Sequence, residues 1–587
     1  MNLQNLYERT KDLNYIEIEK LGSKLSAAFI KTYINQIDDK EIRESPVDFV
    51  ENLLKLSIGV PFKDKLSIIN DTDFFKNGTV DDYLSEVKAL NPPKEHIMSS
   101  SSVAAGGFYR SFGGIKDKNL EDIRKPEYAK FAIKLKKLIE DLSELYKSNK
   151  SNRKEARKLY IDSELDFSLK NITTNIVANI IYPIFPTAFP LTNGHVQRGF
   201  VAFDLMSSKD LKDDKSLDKL RDSTKPEDYI TLAERMDTEI FEGIELDGED
   251  KHFGIIDKMF HVYNINHEIA HFDSPNTILY GAPGTGKTYE VTKKMEFLKD
   301  VDGAIVHKMQ FHPSFTYEDF IEGIKPMGVL NGNIQFELVN GVFKNFCMEA
   351  KERPDTDFYF VVDEINRANL STVFGETLSL IEKDYRHDPD PKNKPNDNLI
   401  QTQYSSLIDE LIKEDETKEK RLVYARDENG KVAFGVPKNV YFIGMMNDVD
   451  KSIDTFDLAL RRRFKWIRKD CDDDVIKEIK FKNGNDNFKN IDEYVKCAKA
   501  LNEYISQELL LGSSYEFGHS FFMKMSDIAK RTNISKSNLE TLFDSHLRPT
   551  LKEYLRAFYP ENEIEGKNGK LASALKKFQS ELSDSAE

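Results

Sequence analysis

Residues 281–288 spell Gly-Ala-Pro-Gly-Thr-Gly-Lys-Thr, with Gly281, Gly286, Lys287 and Thr288 at the fixed places of the phosphate-binding pattern G-x-x-x-x-G-K-[ST]. The chemistry implied is the cradling of a nucleotide's phosphates. Gly281, Ala282, Pro283, Gly284, Thr285 and Gly286 would wrap the backbone round the anion, a path that side chains would obstruct. Lys287 would reach the β- and γ-phosphates and the Thr288 hydroxyl would ligate Mg²⁺.

A second set of groups completes that chemistry. Phe358-Tyr-Phe-Val-Val362 delivers Asp363 and Glu364 directly after five apolar residues. Asp363 would hold the metal's shell, and Glu364 would orient and polarise the attacking water. Val440–Met446 ends at Asn447, where a polar side chain can sit between a γ-phosphate and that water. Three arginines follow, Arg461, Arg462 and Arg463. Placed after such a strand, Arg462 and Arg463 suit charge stabilisation in a neighbouring subunit's site, which implies a ring of like subunits. His267-Glu-Ile-Ala-His271 spells the zinc-protease pattern H-E-x-x-H. Ser274-Pro275 and the phosphate-loop strand follow at once, leaving little room for a third ligand, and the match is read as coincidence.

These groups need a doubly wound parallel sheet to position them. Asn276–Tyr280 reads as a short buried strand before the loop, Tyr289–Leu298 as the helix after it, and Ala304–Phe311 as a second strand. The run 358–362 suits a strand buried on both faces. Between Tyr385 and Leu422 lie mostly polar residues, more than the connection requires, and 386–421 is taken as a surface insertion. Leu422–Phe434 reads as a β-hairpin turning at Asn429-Gly430, of a kind that could line a ring's pore.

At 587 residues the chain is too long for one core. With 39% hydrophobic and 31% charged residues it has the make-up of a soluble globular protein. No apolar run of about 18 residues and no signal-like N-terminus is present, so a cytoplasmic protein without membrane segments is expected. Cys347, Cys471 and Cys497 are scattered and support neither a disulfide framework nor a zinc ribbon. The net charge of -16 excludes an all-over basic coat and restricts any DNA contact to a patch.

The N-terminal part, 1–260, reads as mostly helical or mixed α+β, possibly in two subdomains. Leu21, Leu25, Phe29 and Tyr33 recur every four residues, and Val50, Leu53, Leu54 and Leu56 form another apolar face. Asn179–Pro190 is apolar, aromatic and broken by prolines, hence an ordered packed loop. If this part stacks a base, the available rings are Phe108, Tyr109, Phe112, Tyr182, Phe185 and Phe189. Lys150, Arg153, Lys154, Arg157 and Lys158 read first as a solvated helix face and second as a phosphate contact.

Taken together, QFHPSFTYEDFIEGIKP, VVDEINRANLSTVFGETLSLIE, VPKNVYFIGMMNDVDKS, ALRRRF, GHSFFM (Gly518–Met523) and HLRPTLKEYLR (His546–Arg556) resemble the McrB family, the GTP-hydrolysing AAA+ subunits of modification-dependent restriction systems. The resemblance covers about residues 270–560. It implies an α/β AAA+ P-loop domain at 270–470, a helical lid with C-terminal tail at 471–587, and target recognition by 1–260. It further implies GTP with Mg²⁺ as cofactors (ATP being the alternative nucleotide), a homohexameric ring, modified DNA and a separate McrC-like nuclease as partners, and anti-phage defence as the setting. Met446–Ser452, MNDVDKS, stands where the family has MNTADRS. Asn447, Asp450 and Ser452 match, with Asp450 falling in the nucleotide-binding set, while Asp448, Val449 and Lys451 depart. Arg367 in DEINR also matches. No P-D…(D/E)-x-K nuclease motif is evident, so cutting would belong to the partner. The rival expectations are a protein-remodelling or proteolytic AAA+ machine and a nucleotide-dependent switch that does no work on DNA.

Overall fold

The computed structural model describes residues 2–12, 15–57, 118–167, 169, 174–190, 226–246, 251–330, 332–388, 398–449, 458–480 and 488–583. Phe108, Tyr109, Phe112, Asp450, Lys451 and Ser452 lie outside them. The chain divides into two compact units, Met1–Ile269 with Asp300–Asp302, and Ala270–Lys299 with Gly303–Glu587. No helix among the described residues is long and apolar enough to cross a membrane.

The elements of the first unit among its described residues are helices, including α1 (Leu3–Asp12), α2 (Tyr15–Gln36), α3 (Asp39–Glu44), α4 (Pro46–Ser57), α5 (Lys118–Ser148), α6 (Arg153–Asp162), α7 (Thr174–Ile181), α8 (Pro226–Glu239) and α9 (Gly254–Ala270). Local chemistry sets their starts. Asp38 and Glu41 form a reciprocal capping box at α3, Pro46 opens α4 where no donor is needed, and the Asn152 side chain caps α6. Phe29 and Tyr33 of α2, Val50, Leu53, Leu54 and Leu56 of α4, and Phe131, Leu135, Leu138 and Leu142 of α5 all turn into one core.

That core overturns the stacking expectation for three rings. Asn179–Ile181 complete α7, the chain then turns through 182–190, and Tyr182, Phe185 and Phe189 are buried. Phe185 packs edge-on against Tyr146 at 5.0 Å, Phe189 lies parallel to Tyr229, and the Tyr182 hydroxyl donates to Glu19 at 2.9 Å. A base cannot reach rings that already fill the core. Two of the proposed phosphate contacts are likewise spent within the unit. Arg157 donates to Asp237 at 2.7 Å and to the Ala188 carbonyl at 3.1 Å, and Arg153 donates to the same Asp237. Lys150, Lys154 and Lys158 remain exposed. In the H-E-x-x-H stretch, α9 ends at Ala270, one residue before His271, and His267 Nδ1 sits 3.0 Å from the Tyr263 hydroxyl and 3.3 Å from Asp302.

The second unit is built on a five-stranded parallel sheet of β1 (Asn276–Tyr280), β2 (Ile305–Gln310), β5 (Phe358–Asp363), β8 (Val440–Met445) and β9 (Lys465–Arg468), in the order β2-β5-β8-β1-β9. The chain leaves β1 for the far edge, returns through β5 and β8 to its flank, and places β9 on the other side. The switch in direction therefore falls beside β1, where open sheets of this kind bind ligands at the C-terminal strand ends. Phe358–Val362 are all buried, as a strand covered on both faces requires. Beneath them Phe320, Phe343, Phe360, Phe374 and Phe442 pack ring on ring, the first two parallel at 4.6 Å. Truncating any one to alanine should cost about 3–5 kcal/mol.

Between β2 and β5 the chain forms an antiparallel hairpin not expected from the sequence, β3 (Glu322–Leu330) with β4 (Asn333–Asn340), followed by α11 (Val342–Lys351). Its pairing puts Ile324, Pro326, Val329, Ile334 and Phe336 on one solvent-facing side and Lys325, Gln335 and Glu337 on the other. At its root Glu322 and Lys344 form a fully buried ion pair, and Thr402 and the Tyr404 N–H donate to Glu322. The segment expected to be an insertion contains α12 (Ser405–Glu414), whose Ile408 and Ile412 pack with Leu338, Leu422 and Val432. The strands β6 (Ala425–Arg426) and β7 (Val432–Ala433) pair round a turn in which Gly430 takes φ +75° and Asp427 accepts from Asn429 and Lys431.

After β9 come α13 (Ile491–Glu503), α14 (Lys536–Leu542), α15 (Arg548–Arg556) and α16 (Lys570–Gln579), which close round their own core of Tyr494, Leu501, Phe522, Leu547, Leu551 and Phe578.

Candidate nucleotide site at the phosphate loop

The loop leaves β1 at Gly281 and enters α10 (Lys287–Phe297) at Gly286. Gly281, Gly284 and Gly286 take φ of +143°, +79° and +76°, which L side chains rarely adopt. Space forbids a side chain as well. A Cβ on Gly281 would stand 2.1 Å from the Lys469 carbonyl oxygen, and one on Gly284 2.5 Å from Ser520 Oγ. Ala282 is buried, and the Thr285 hydroxyl closes the turn on the Ala282 carbonyl at 2.9 Å. Lys287, the first residue of α10, is buried with its ammonium on the carbonyls of Gly281 (3.1 Å) and Ala282 (2.8 Å). A buried ammonium favours an anion nearby. Thr288 Oγ1 lies 3.5 Å from Asp363 Oδ2, so a hydroxyl and a carboxylate, both hard oxygen donors, face the same point at the start of α10. A triphosphate with Mg²⁺ fits this donor set.

Asp363 ends β5, two strands from the loop, and Oδ1 accepts the Glu364 N–H at 2.9 Å. Glu364 stands in the left-handed region at φ +49°, ψ +44°, a conformation costing of order 1–3 kcal/mol for a non-glycine residue. Glu364 Oε2 lies 3.2 Å from Arg367 Nε but out of line for a hydrogen bond, which leaves a buried carboxylate oxygen without a donor. A water can supply one.

Asn447 follows β8, the strand between β5 and β1, which brings it between the carboxylate pair and the loop. Met446 N–H donates to the Leu279 carbonyl at 3.0 Å and Asp448 N–H to the Gly281 carbonyl at 3.2 Å. The next residues turn to the lid: Asp448 accepts from Ser514 Oγ at 3.1 Å, and Val449 packs on the lid core.

The arginines lie elsewhere. The Arg463 carbonyl accepts from the Asn276 side chain at 3.1 Å, which puts the group level with the start of β1, whereas the loop follows its end. Five residues at about 3.3 Å separate the two levels by roughly 16 Å. Arg463 is nearly buried with Nε 2.8 Å from Glu382, Arg462 is mostly exposed, and Arg461 lies over the Trp466 ring. The loop, Asp363, Glu364 and Asn447 thus converge, and Arg462 and Arg463 stand apart from them.

Sequence reasoning assigned the lid no part in the site, yet Gly518–Phe521 rests on the loop. Gly518 N–H donates to the Pro283 carbonyl and Ser520 N–H to the Gly284 carbonyl, both at 3.0 Å. His519 Nδ1 accepts the Asp472 N–H at 3.3 Å and burial lowers its pKa, so the neutral ring turns an Nε2–H towards Gly286. The motif GHSFFM was visible; its contact, more than two hundred residues away along the chain, was not.

A parallel sheet with a phosphate loop after β1, a carboxylate pair after β5, a polar residue after β8 and a helical lid closing on the loop is the architecture of an AAA+ P-loop NTPase. Residues 276–464 match the family model for the AAA domain of the dynein-related subfamily, and residues 493–559 that for the alpha-helical lid domain of McrB. The chain is 36% identical over 286 residues, 48% of its length and 53% of the relative's, to the type IV methyl-directed restriction enzyme EcoKMcrB subunit of Escherichia coli. It is 25% identical over 213 residues, 32% of its length and 56% of the relative's, to the type II restriction enzyme BsuMI component YdiS of Bacillus subtilis. The chain therefore spans about half the length of these curated relatives. Over residues 276–559 it is thus similar to the AAA+ motor and helical lid of McrB proteins.

Proposed function

We propose that this chain is the GTP-hydrolysing motor of a modification-dependent restriction system. It assembles as a homohexameric ring in the cytoplasm, engages modified DNA through residues 1–260, and activates a separate McrC-like nuclease as an anti-phage defence. The preference for GTP over ATP rests on kinship with the McrB family, since the phosphate loop reads phosphates rather than bases.

In this reading the loop presents the backbone N–H groups of Gly284, Thr285 and Gly286 to the phosphates and Lys287 turns from its carbonyls to the β- and γ-oxygens. Thr288 and Asp363 hold Mg²⁺, which when bound supplies neutralisation of charge across those oxygens. Glu364 and Asn447 hold the attacking water, and Glu364 Oε2, which lacks a donor, accepts its proton. Asp450 contributes to nucleotide binding.

The observation that carries the ring is the roughly 16 Å along β1 between the loop and the arginines. The chain's own Arg462 and Arg463 do not serve its own phosphates, so an exposed Arg462 serves a neighbour's, with Arg463 and Glu382 bracing the turn beneath it. Charge stabilisation of this kind raises rates about 10³- to 10⁵-fold.

Sizing with a non-hydrolysable GTP analogue, paired with GTP hydrolysis in excess ATP, tests the proposal. Nucleotide should drive the chain to a hexamer, and ATP should fail to compete. A nucleotide-bound monomer would remove the ring, and effective ATP competition would move the chain to an ATP-using branch.

A further inference from the structure

The two ring nitrogens of His519 stand in different circumstances where the lid meets the phosphate loop. Nδ1 accepts the Asp472 N–H at 3.3 Å, so its lone pair is engaged and the ring proton belongs on Nε2. Nε2 lies against Gly286, where a Cβ would stand only 2.9 Å from it. Among the described residues no acceptor meets that N–H. A half-buried donor is thus turned to the last turn of the loop, and no residue of the loop has a side chain there to answer it.

Backbone contacts hold the ring in this place. Gly518 and Ser520, on either side of it in the chain, donate their N–H groups to the carbonyls of Pro283 and Gly284, both at 3.0 Å, and the Met523 N–H donates to the His519 carbonyl at 2.9 Å. Asp472, which fixes the tautomer, is itself pinned, its carboxylate accepting from the N–H groups of Asp474 at 2.9 Å and Val475 at 3.4 Å. Position and tautomer are therefore set without any ligand, as preorganised recognition requires. The loop's N–H groups cradle the α- and β-phosphates of a bound nucleotide. The γ-phosphate belongs to the side of Lys287, Thr288 and Asp363, so a donor beside Gly286 faces the other two.

We propose that His519 is a nucleotide-binding residue supplied by the lid, its Nε2–H donating to an oxygen of the α- or β-phosphate. This rests on the nucleotide-hydrolysing function proposed above and adds a side chain from more than two hundred residues beyond the loop. The lid then holds the part of the nucleotide that hydrolysis leaves behind.

The test is equilibrium titration of the full chain, with Mg²⁺, against fluorescent GDP and a fluorescent non-hydrolysable GTP analogue. His519→Phe keeps a ring and removes both nitrogens, whereas His519→Gln gives up the ring and restores an N–H donor; His519→Leu replaces the phenylalanine variant if thermal melting shows that it does not fold. Loss of a hydrogen bond to a charged group should lower the affinity of His519→Phe for both nucleotides by about 10- to 150-fold. His519→Gln should recover most of that loss. Affinity unchanged in His519→Phe, or lowered equally in both variants, leaves the ring a packing role and overturns this inference alone. A loss confined to the triphosphate analogue would move the contact to the γ-phosphate and overturn it as well. Wild type that binds neither nucleotide overturns the functional reading and this inference with it.

Discussion

Gly518→Ala tests whether the lid governs the nucleotide site. Gly518 has φ -72°, so alanine meets no conformational penalty there and any effect is steric. Its Cβ would stand 2.1 Å from the Gly284 carbonyl carbon and 2.4 Å from Thr285 N. Carbon atoms rest at about 3.5 Å, so the lid segment must back away by roughly 1.4 Å. That motion breaks the Gly518–Pro283 and Ser520–Gly284 hydrogen bonds, both 3.0 Å long. At about 0.5–1.5 kcal/mol each, the closed lid loses about 1–3 kcal/mol, or about 5- to 150-fold in nucleotide affinity if closure is part of binding. Titration with a fluorescent GTP analogue reads this directly. Gly512→Ala is the control, because a Cβ there meets nothing within 4 Å and the cost is only the backbone's at φ +84°. It should lower the melting temperature, by a backbone cost of order 1–3 kcal/mol, and leave affinity alone. If Gly518→Ala bound nucleotide and melted as wild type does, the lid would not rest on the loop as described.

Other outcomes follow from the same geometry. Glu364→Gln should retain nucleotide and lose turnover, whereas Lys287→Ala should weaken binding itself; equilibrium binding beside steady-state hydrolysis separates the two. Arg462→Ala subunits, inactive alone, should regain partial hydrolysis when mixed with Lys287→Ala subunits, and a flat response at every ratio despite verified co-assembly would take the arginines out of catalysis. Lys344→Met strands the buried Glu322 carboxylate and should cost about 3–5 kcal/mol in a denaturant melt, much of it recovered by adding Glu322→Leu.

The parts of the site legible in the sequence share a physical trait: each is fixed by its immediate neighbours. A strand buried on both faces must be a continuous apolar run, so β1, β5 and β8 announced themselves and their last residues with them. The loop's glycines have no substitute at their φ values. The hairpin β3–β4 was hidden because Gly323, Pro326 and Gly328 interrupt it and its apolar face is turned to solvent rather than to a core. The rings of Tyr182, Phe185 and Phe189 were misread because an aromatic segment broken by prolines suits a binding loop and a packed turn equally well. Burial decided it, each ring being worth more in the core than at the surface. Arg153 and Arg157 were misread for a related reason, since Asp237, their partner, lies some eighty residues on.

The departures from the family signature at Asp448 and Val449 take on a different meaning once placed. In sequence they sit in a nucleotide motif. In space Asp448 bonds the lid through Ser514 and the loop through the Gly281 carbonyl, and Val449 packs into the lid core. Asn447, one residue earlier, is the proposed holder of the attacking water. A shift in Asn447 on loss of a γ-phosphate therefore pulls on the lid through two adjacent residues, while the Gly518 and Ser520 N–H groups pull on the loop from the other side. Under the proposed mechanism these two positions couple hydrolysis to lid motion.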